Sequence, residues 1–147
     1  MKRTHVSVSA DVVDGAKAVD FVTDSHCGAV SSFIGVTRRD SLGTREVIAL
    51  EFEAHITLAE SVMKDIIHTY REENAELQHV FVHHRLGLVP VGQGNVVIAV
   101  SAGHRAAAFA AVEALMNNLK ATLPVWKKEL YNDESYRWLE NAEFNAA

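Results

Sequence analysis

At 147 residues the chain has the length of one domain, enough to bury a core and too little for two full ones. Its 48% apolar and 22% charged residues are those of a globular protein, and no window approaches the roughly 18 uninterrupted apolar residues of a membrane span. The 19 acidic and 14 basic residues leave a net charge of −5, which argues against the basic face of a nucleic-acid binder, and the lone cysteine, Cys27, excludes an internal disulfide framework.

The N-terminal MKRTHVSVSADVVDG starts basic but alternates Val with Ser and turns acidic, so it lacks the apolar centre of a secretory signal. With a single thiol, this predicts a reducing, cytoplasmic setting. His5 to Ser9 alternates like an edge strand, and Asp11 to Thr23 reads as a short helix capped by Asp11. His26-Cys27-Gly28 breaks it. Ala29 to Thr37 is rich in β-formers, and the polar run Arg38 to Arg45, with Gly43, reads as a loop. From Val47 to Ala54, Ile48, Leu50, Phe52 and Ala54 alternate with Glu51 and Glu53, which predicts a half-buried strand with the even-numbered residues inward.

From Ala59 the residues Val62, Met63, Ile66, Ile67 and Tyr70 recur at helical spacing. A strand over Gln78 to Leu86 follows, then turn-forming Gly87 to Gly94. Asn95 to Ala102 is a continuous apolar strand of the kind buried on both faces, hence central. Beyond Gly103 a long helix carries Ala108, Val112, Leu115, Leu119 and Leu123 on one stripe, and Pro124 disfavours helix at Leu123. The tail from Val125 to Trp138 has hairpin character around Asn132-Asp133. Strands and helices alternate in an α+β or α/β manner, with strand order left open by periodicity.

The most informative junction is Ser101-Ala102-Gly103-His104-Arg105, where a buried strand turns through glycine into a helix. A helix N-terminus offers unpaired N–H donors and partial positive charge, so with His104 and Arg105 it can hold a phosphate; the plainer alternative is that His104 caps the helix and Arg105 is solvated. A second constellation is Lys120 followed by Pro124-Val125-Trp126-Lys127-Lys128-Glu129. Proline directs the chain out of the helix, so the next strand can fold back and set Lys127 beside Lys120, where apolar neighbours can lower a lysine pKa. Such a lysine serves as a base or an oxyanion donor, whereas most helix-end lysines merely complement the dipole.

Arg38 and Arg39 offer forks for phosphate or carboxylate. Cys27 reads as a small packing residue rather than a nucleophile. The adjacent His83 and His84 point to opposite faces of a strand, and no helical ligand spacing accompanies them, so no metal site is expected. Glu51 and Glu53 read as a solvated face.

The segments C-G-A-V (27–30), F-I-G-V-T-R (33–38), L-E-F-E-A (50–54), H-R-L-G-L-V-P-V (84–91), S-A-G-H-R (101–105), L-K-A (119–121) and P-V-W-K-K-E (124–129) occur together in one order and spacing. In that combination the chain resembles the molybdopterin synthase large-subunit family, over about Val6 to Trp138 within a single domain spanning residues 1–147. The resemblance implies an α+β, hammerhead-like fold with a mixed sheet, packed helices and a small additional β subdomain. It also implies a homodimer at the centre of a heterotetramer with two small ubiquitin-like subunits. Each small subunit would insert a Gly-Gly tail ending in a thiocarboxylate, whose sulfur converts cyclic pyranopterin monophosphate (precursor Z) into the dithiolene of molybdopterin. No cofactor is implied.

By motif, Arg38, His104 and Arg105 resemble the family's phosphate-binding set, with Val36, Thr37, Lys128 and Glu129 shaping the substrate wall. Lys120 and Lys127 resemble its catalytic lysines: Lys120 for proton transfer as the cyclic phosphate opens, Lys127 for oxyanion stabilisation or thiocarboxylate activation. Three departures stand out. Gly103 precedes His-Arg where relatives usually have alanine, Arg39-Asp40 replaces an asparagine-rich continuation, and nothing after Arg137 is basic, which leaves a cross-dimer contribution from the tail unsupported. Two rival readings are a non-catalytic module binding a small anion or nucleotide at His104-Arg105, and a family member that has lost activity; intact Lys120 and Lys127 oppose the second.

Overall fold

The computed structural model describes residues 1–139, so the last eight residues of the expected domain lie outside the described residues. The fold is α+β, built on two sheets. The first has strand order β1-β5-β7-β2, from β1 (Thr4–Ser9), β2 (Ala29–Val36), β5 (Leu77–Arg85) and β7 (Gly94–Ala102). Its β1–β5 pair is parallel and its β5–β7 and β2–β7 pairs antiparallel, so the sheet is mixed. The apolar run of β7 is central as expected, with Val97, Ile98, Ala99 and Val100 all fully buried.

Both faces of this sheet are covered. Val80, Val82, Ile98 and Val100 point to the side where α2 (Ile56–Glu73) supplies Ala59, Met63 and Ile67 and α3 (Arg105–Thr122) supplies Ala108, Ala111, Leu115 and Leu119. Phe81, Val97 and Ala99 point the other way, against Ala18 and Val22 of α1 (Gly15–Val22). Each fully buried Val, Leu, Ile or Met side chain among them contributes about 1.5–3 kcal/mol, and each alanine less.

The second sheet has β3 (Ser41–Leu42), β4 (Arg45–Ala54), β8 (Val125–Tyr131) and β9 (Tyr136–Leu139) in that order, with β6 (Gly87–Pro90) also pairing β4. Phe52, Val89 and Val125 form its own small core. Leu123, extended before Pro124, ends α3 and turns the chain into β8.

Four expectations are corrected. Helix α1 begins at Gly15 and is capped by Asp14, whose carboxylate accepts from the Lys17 amide at 3.0 Å, while the Asp11 amide is held by Ser9 Oγ at 3.3 Å. The stretch 38–45 contains strand β3, because Gly43, at φ 66°, turns the chain tightly back onto β4. Gly87 to Gly94 begins with strand β6, where Val89 is buried against Phe52. In β4, Ile48 is an extra residue between the Val47–Tyr131 and Ala49–Leu130 pairs, and this bulge shifts the alternation: Val47, Ala49 and Phe52 are buried and Ile48 is exposed.

The turn from β7 into α3 is clamped. Gly28 donates its amide to the Gly103 carbonyl at 3.2 Å, and a Cβ on Gly28 would stand only 2.4 Å from that oxygen. The obstacle is backbone, which must move as a unit. Gly28→Ala is expected to lower stability by about 1–3 kcal/mol, read as a shift in denaturant midpoint, because overpacking here pushes the start of α3 off the sheet.

Candidate active site

A cleft of about 610 Å³ opens between the first sheet and the second. Its walls come from the end of β2, from β4, from β7, from the last turns of α3 and from β8. Lys120, Lys127, Arg38, Glu129 and Val36 all line it. The mechanism of assembly is local: Pro124 redirects the chain, β8 returns alongside β4, and Lys127 pairs with Phe52 on one side and Leu139 on the other. Lys120 reaches the same space from α3, one turn after Met116.

Alternation along β8 decides which of its charged residues take part. Lys127 and Glu129 face the cleft; Lys128 faces the opposite side, between its cross-strand neighbours Glu51 and Trp138. There its ammonium lies 3.2 Å from Glu51 Oε2 and 4.8 Å and 5.2 Å from the Tyr136 and Trp138 ring centres. The structure therefore keeps Lys128 out of the cleft and occupies Glu51 with it. Glu129 accepts from Tyr131 Oη at 2.9 Å and from Arg137 at 3.0 Å, so its carboxylate is held against the wall.

Arg38 is exposed at the mouth, its Nε 2.9 Å from Asp40. Thr37, by contrast, is buried behind the wall: its amide donates to the Gln93 carbonyl at 3.0 Å, its carbonyl accepts from Gly92 at 2.9 Å, and its hydroxyl accepts from Asn95 at 3.4 Å. Asn95 itself is the extra residue of a β7 bulge opposite Gly35–Val36 and lines the cleft. Gly35 permits this crossing, since a Cβ there would meet Asn95 Oδ1 and Val96 Cγ1 at 2.8 Å.

His104 and Arg105 are not brought to the cleft. They stand exposed at the first turn of α3, fifteen positions before Lys120. At 1.5 Å per residue, that is about 22 Å along the helix. His104 is the N-cap residue but makes no side-chain cap bond; its Nδ1 lies 2.5 Å from Glu76 Oε1. Cys27 is a partly buried free thiol remote from the lining residues. Among the described residues no group of three or more His, Cys, Asp or Glu side chains is placed to hold a metal, and no helix is long and apolar enough to cross a membrane.

The floor carries a group that sequence reasoning weighed only as a metal ligand. His84 lies buried beside Phe52, with ring centres 4.9 Å apart, and burial, reinforced by the charge of Lys127, lowers its pKa to about 4. An unfolded imidazole titrates near 6.5, so between these values the unfolded chain binds a proton that the folded chain refuses. Stability is thus full above about pH 6.5 and falls as pH drops towards 4, by about 3 kcal/mol for this residue. Burial lowers the pKa values of His5 and His83 as well, which steepens the fall. Denaturant midpoints measured from pH 7 to 4.5 should show this slope, and His84→Phe should flatten it.

The MoaE protein family model matches residues 8–122 of this chain. The chain belongs to the MoaE family. Among similar proteins, the molybdopterin synthase catalytic subunit of Taeniopygia guttata is 44% identical over 141 residues, covering 96% of this chain and 90% of that protein. The human protein of the same name is 40% identical over 138 residues, covering 94% and 72%. The crystal structure of molybdopterin synthase from Staphylococcus aureus superposes with a TM-score of 0.85 at 28% identity, covering 91% of this chain and 96% of that one. A complex of subunits 1 and 2 of molybdopterin-converting factor from Helicobacter pylori has a TM-score of 0.70 at 17% identity, a likeness of fold alone, covering 93% and 90%. In this MoaE-family chain the matched span runs from the end of β1 through α3 and stops before β8, so Lys127 lies outside it.

Proposed function

We propose that this MoaE-family chain is the catalytic subunit of a molybdopterin synthase, transferring sulfur from the C-terminal thiocarboxylate of a small ubiquitin-like subunit to cyclic pyranopterin monophosphate in the cytoplasm. The observation that carries this reading is the convergence of Lys120 and Lys127, from two elements, in one cleft with an arginine at its mouth. Around that cleft are three cationic side chains, Arg38, Lys120 and Lys127, against two carboxylates, Asp40, which pairs with Arg38, and Glu129, which is held by Tyr131 and Arg137. A phosphate ester and a thiocarboxylate are both anions, and this surplus favours them.

Lys120 acts in proton transfer as the cyclic phosphate opens and the thiocarboxylate sulfur displaces an oxygen at a side-chain carbon of the pterin. Lys127 stabilises the oxyanion that develops when water attacks the resulting thioester carbonyl, which breaks the C–S bond to the small subunit and leaves that subunit as a carboxylate. The thiocarboxylate brings the sulfur, so Cys27 has no part in the chemistry.

A homodimer accounts for two further features. Strand β2 is an edge of its sheet and exposes Val30, Phe33, Ile34 and Val36, with Phe109 of α3 exposed as well. An apolar edge of this kind is normally covered. It adjoins the cleft, so a second copy seated there can bring its own His104 and Arg105 towards the Lys120 of the first, spanning the 15-residue separation that no single helix can close.

The deciding experiment is conversion of cyclic pyranopterin monophosphate by the purified chain with a thiocarboxylated small subunit. Formation of the dithiolene product is expected; a formed complex that yields none would overturn the catalytic reading and favour the small-anion-binding module.

A further inference from the structure

His84 is the penultimate residue of β5, on the face turned towards α2 and α3, just before the chain steps across to β6. Its Nδ1 lies 2.9 Å from the Arg85 carbonyl oxygen. A carbonyl only accepts, so Nδ1 carries the proton, and in the neutral ring Nε2, at the tip, is left as a hydrogen-bond acceptor. The ring lines the cleft together with Leu50, Phe52, Val96 and Met116, an apolar frame. Arg38, Lys120 and Lys127 supply the cleft's positive charge, so its floor and its cationic wall differ in kind.

The two parts suit different ends of one ligand. A cyclic phosphate diester anion has only acceptors and gains nothing from a lone pair in an apolar frame. A flat heterocycle with N–H groups gains a partner for a donor that burial would otherwise leave unsatisfied. We propose that His84 Nε2 accepts a hydrogen bond from an N–H of the pterin, so that the heterocycle enters first and the phosphate stays towards Arg38. This rests on the molybdopterin synthase reading and adds to it a residue that selects the substrate's ring system. His84 acts by binding and orientation; the proton transfers remain with the lysines.

The test uses the assembled enzyme with its thiocarboxylated small subunit. His84→Phe keeps an aromatic ring against Phe52 and removes the acceptor, and KM for the pterin is expected to rise about ten- to a hundredfold with kcat little changed. His84→Gln, whose amide oxygen can accept, should recover part of the loss. Unchanged KM in both variants overturns the proposal, whereas a wild type that makes no product refutes the synthase reading instead. Histidine-labelled ¹⁵N NMR of the wild-type complex requires neither a variant nor turnover. Cyclic pyranopterin monophosphate should move the His84 Nε2 resonance and inorganic phosphate should not; no movement with the pterin, or equal movement with phosphate, overturns the inference.

Discussion

Lys127→Ala and Lys120→Ala are each expected to lower turnover by about a hundredfold or more while leaving the fold in place. The size follows from the roles: positioned proton transfer contributes about 10²–10⁴ and one oxyanion donor about 10²–10³. The fold should survive because neither side chain belongs to the core. Helix α3 is anchored by Ala108, Ala111, Leu115 and Leu119, and β8 by Val125 and Tyr131. Thermal melts of both variants should therefore stay close to wild type. The double variant separates the roles further. If the lysines act as a unit, or each on its own successive step, it should be about as slow as the worse single variant; if they act independently on one transition state, the losses should multiply. Retention of near-wild-type turnover in both single variants would remove the chemistry from this cleft.

Much of this cleft is legible in the sequence because its determinants are local. Pro124 after a helical stripe predicts the reversal that brings Lys127 towards Lys120, and the unbroken apolar run of β7 predicts a central strand; both hold. The errors arise where one residue changes phase. Alternation cannot reveal that Ile48 is a bulge, since the extra residue is defined only against β8, and with it goes the prediction of which β4 residues face inward. Lys128 and Glu129 are adjacent and look equivalent, yet strand alternation sends one to the Glu51–Trp138 side and one to the cleft. That much could have been read from period two once β8 was recognised as a strand. Thr37 is inaccessible to such reasoning, because its partners Gln93 and Asn95 come from the distant start of β7 and the turn before it. In the sequence His84 reads only as a metal ligand that His83 cannot partner; its value as an acceptor depends on the Arg85 carbonyl and on Phe52, which only the folded chain brings to it.

Mixed dimers of Lys120→Ala and Arg105→Ala chains are expected to regain activity that neither homodimer has. Arg105 and Lys120 lie at opposite ends of an 18-residue helix, too far apart to touch one phosphate within one chain. If both serve the same substrate, one must come from the other copy. In a mixed dimer one site then combines the intact Lys120 of the Arg105 variant with the intact Arg105 of the Lys120 variant, while the other site lacks both. About half the wild-type activity per mixed dimer should return, because one of two independent sites is whole. If each site draws its residues from a single chain, both sites in the mixed dimer are damaged and nothing returns. Glu76 adds a condition on the same site. Its carboxylate lies 2.5 Å from His104 Nδ1 and fixes the ring so that Nε2 can meet an incoming phosphate, and Glu76→Gln in the otherwise intact chain weakens that hold without touching either lysine. Complementation that appears on mixing, and only on mixing, would place Arg105 in the partner's cleft.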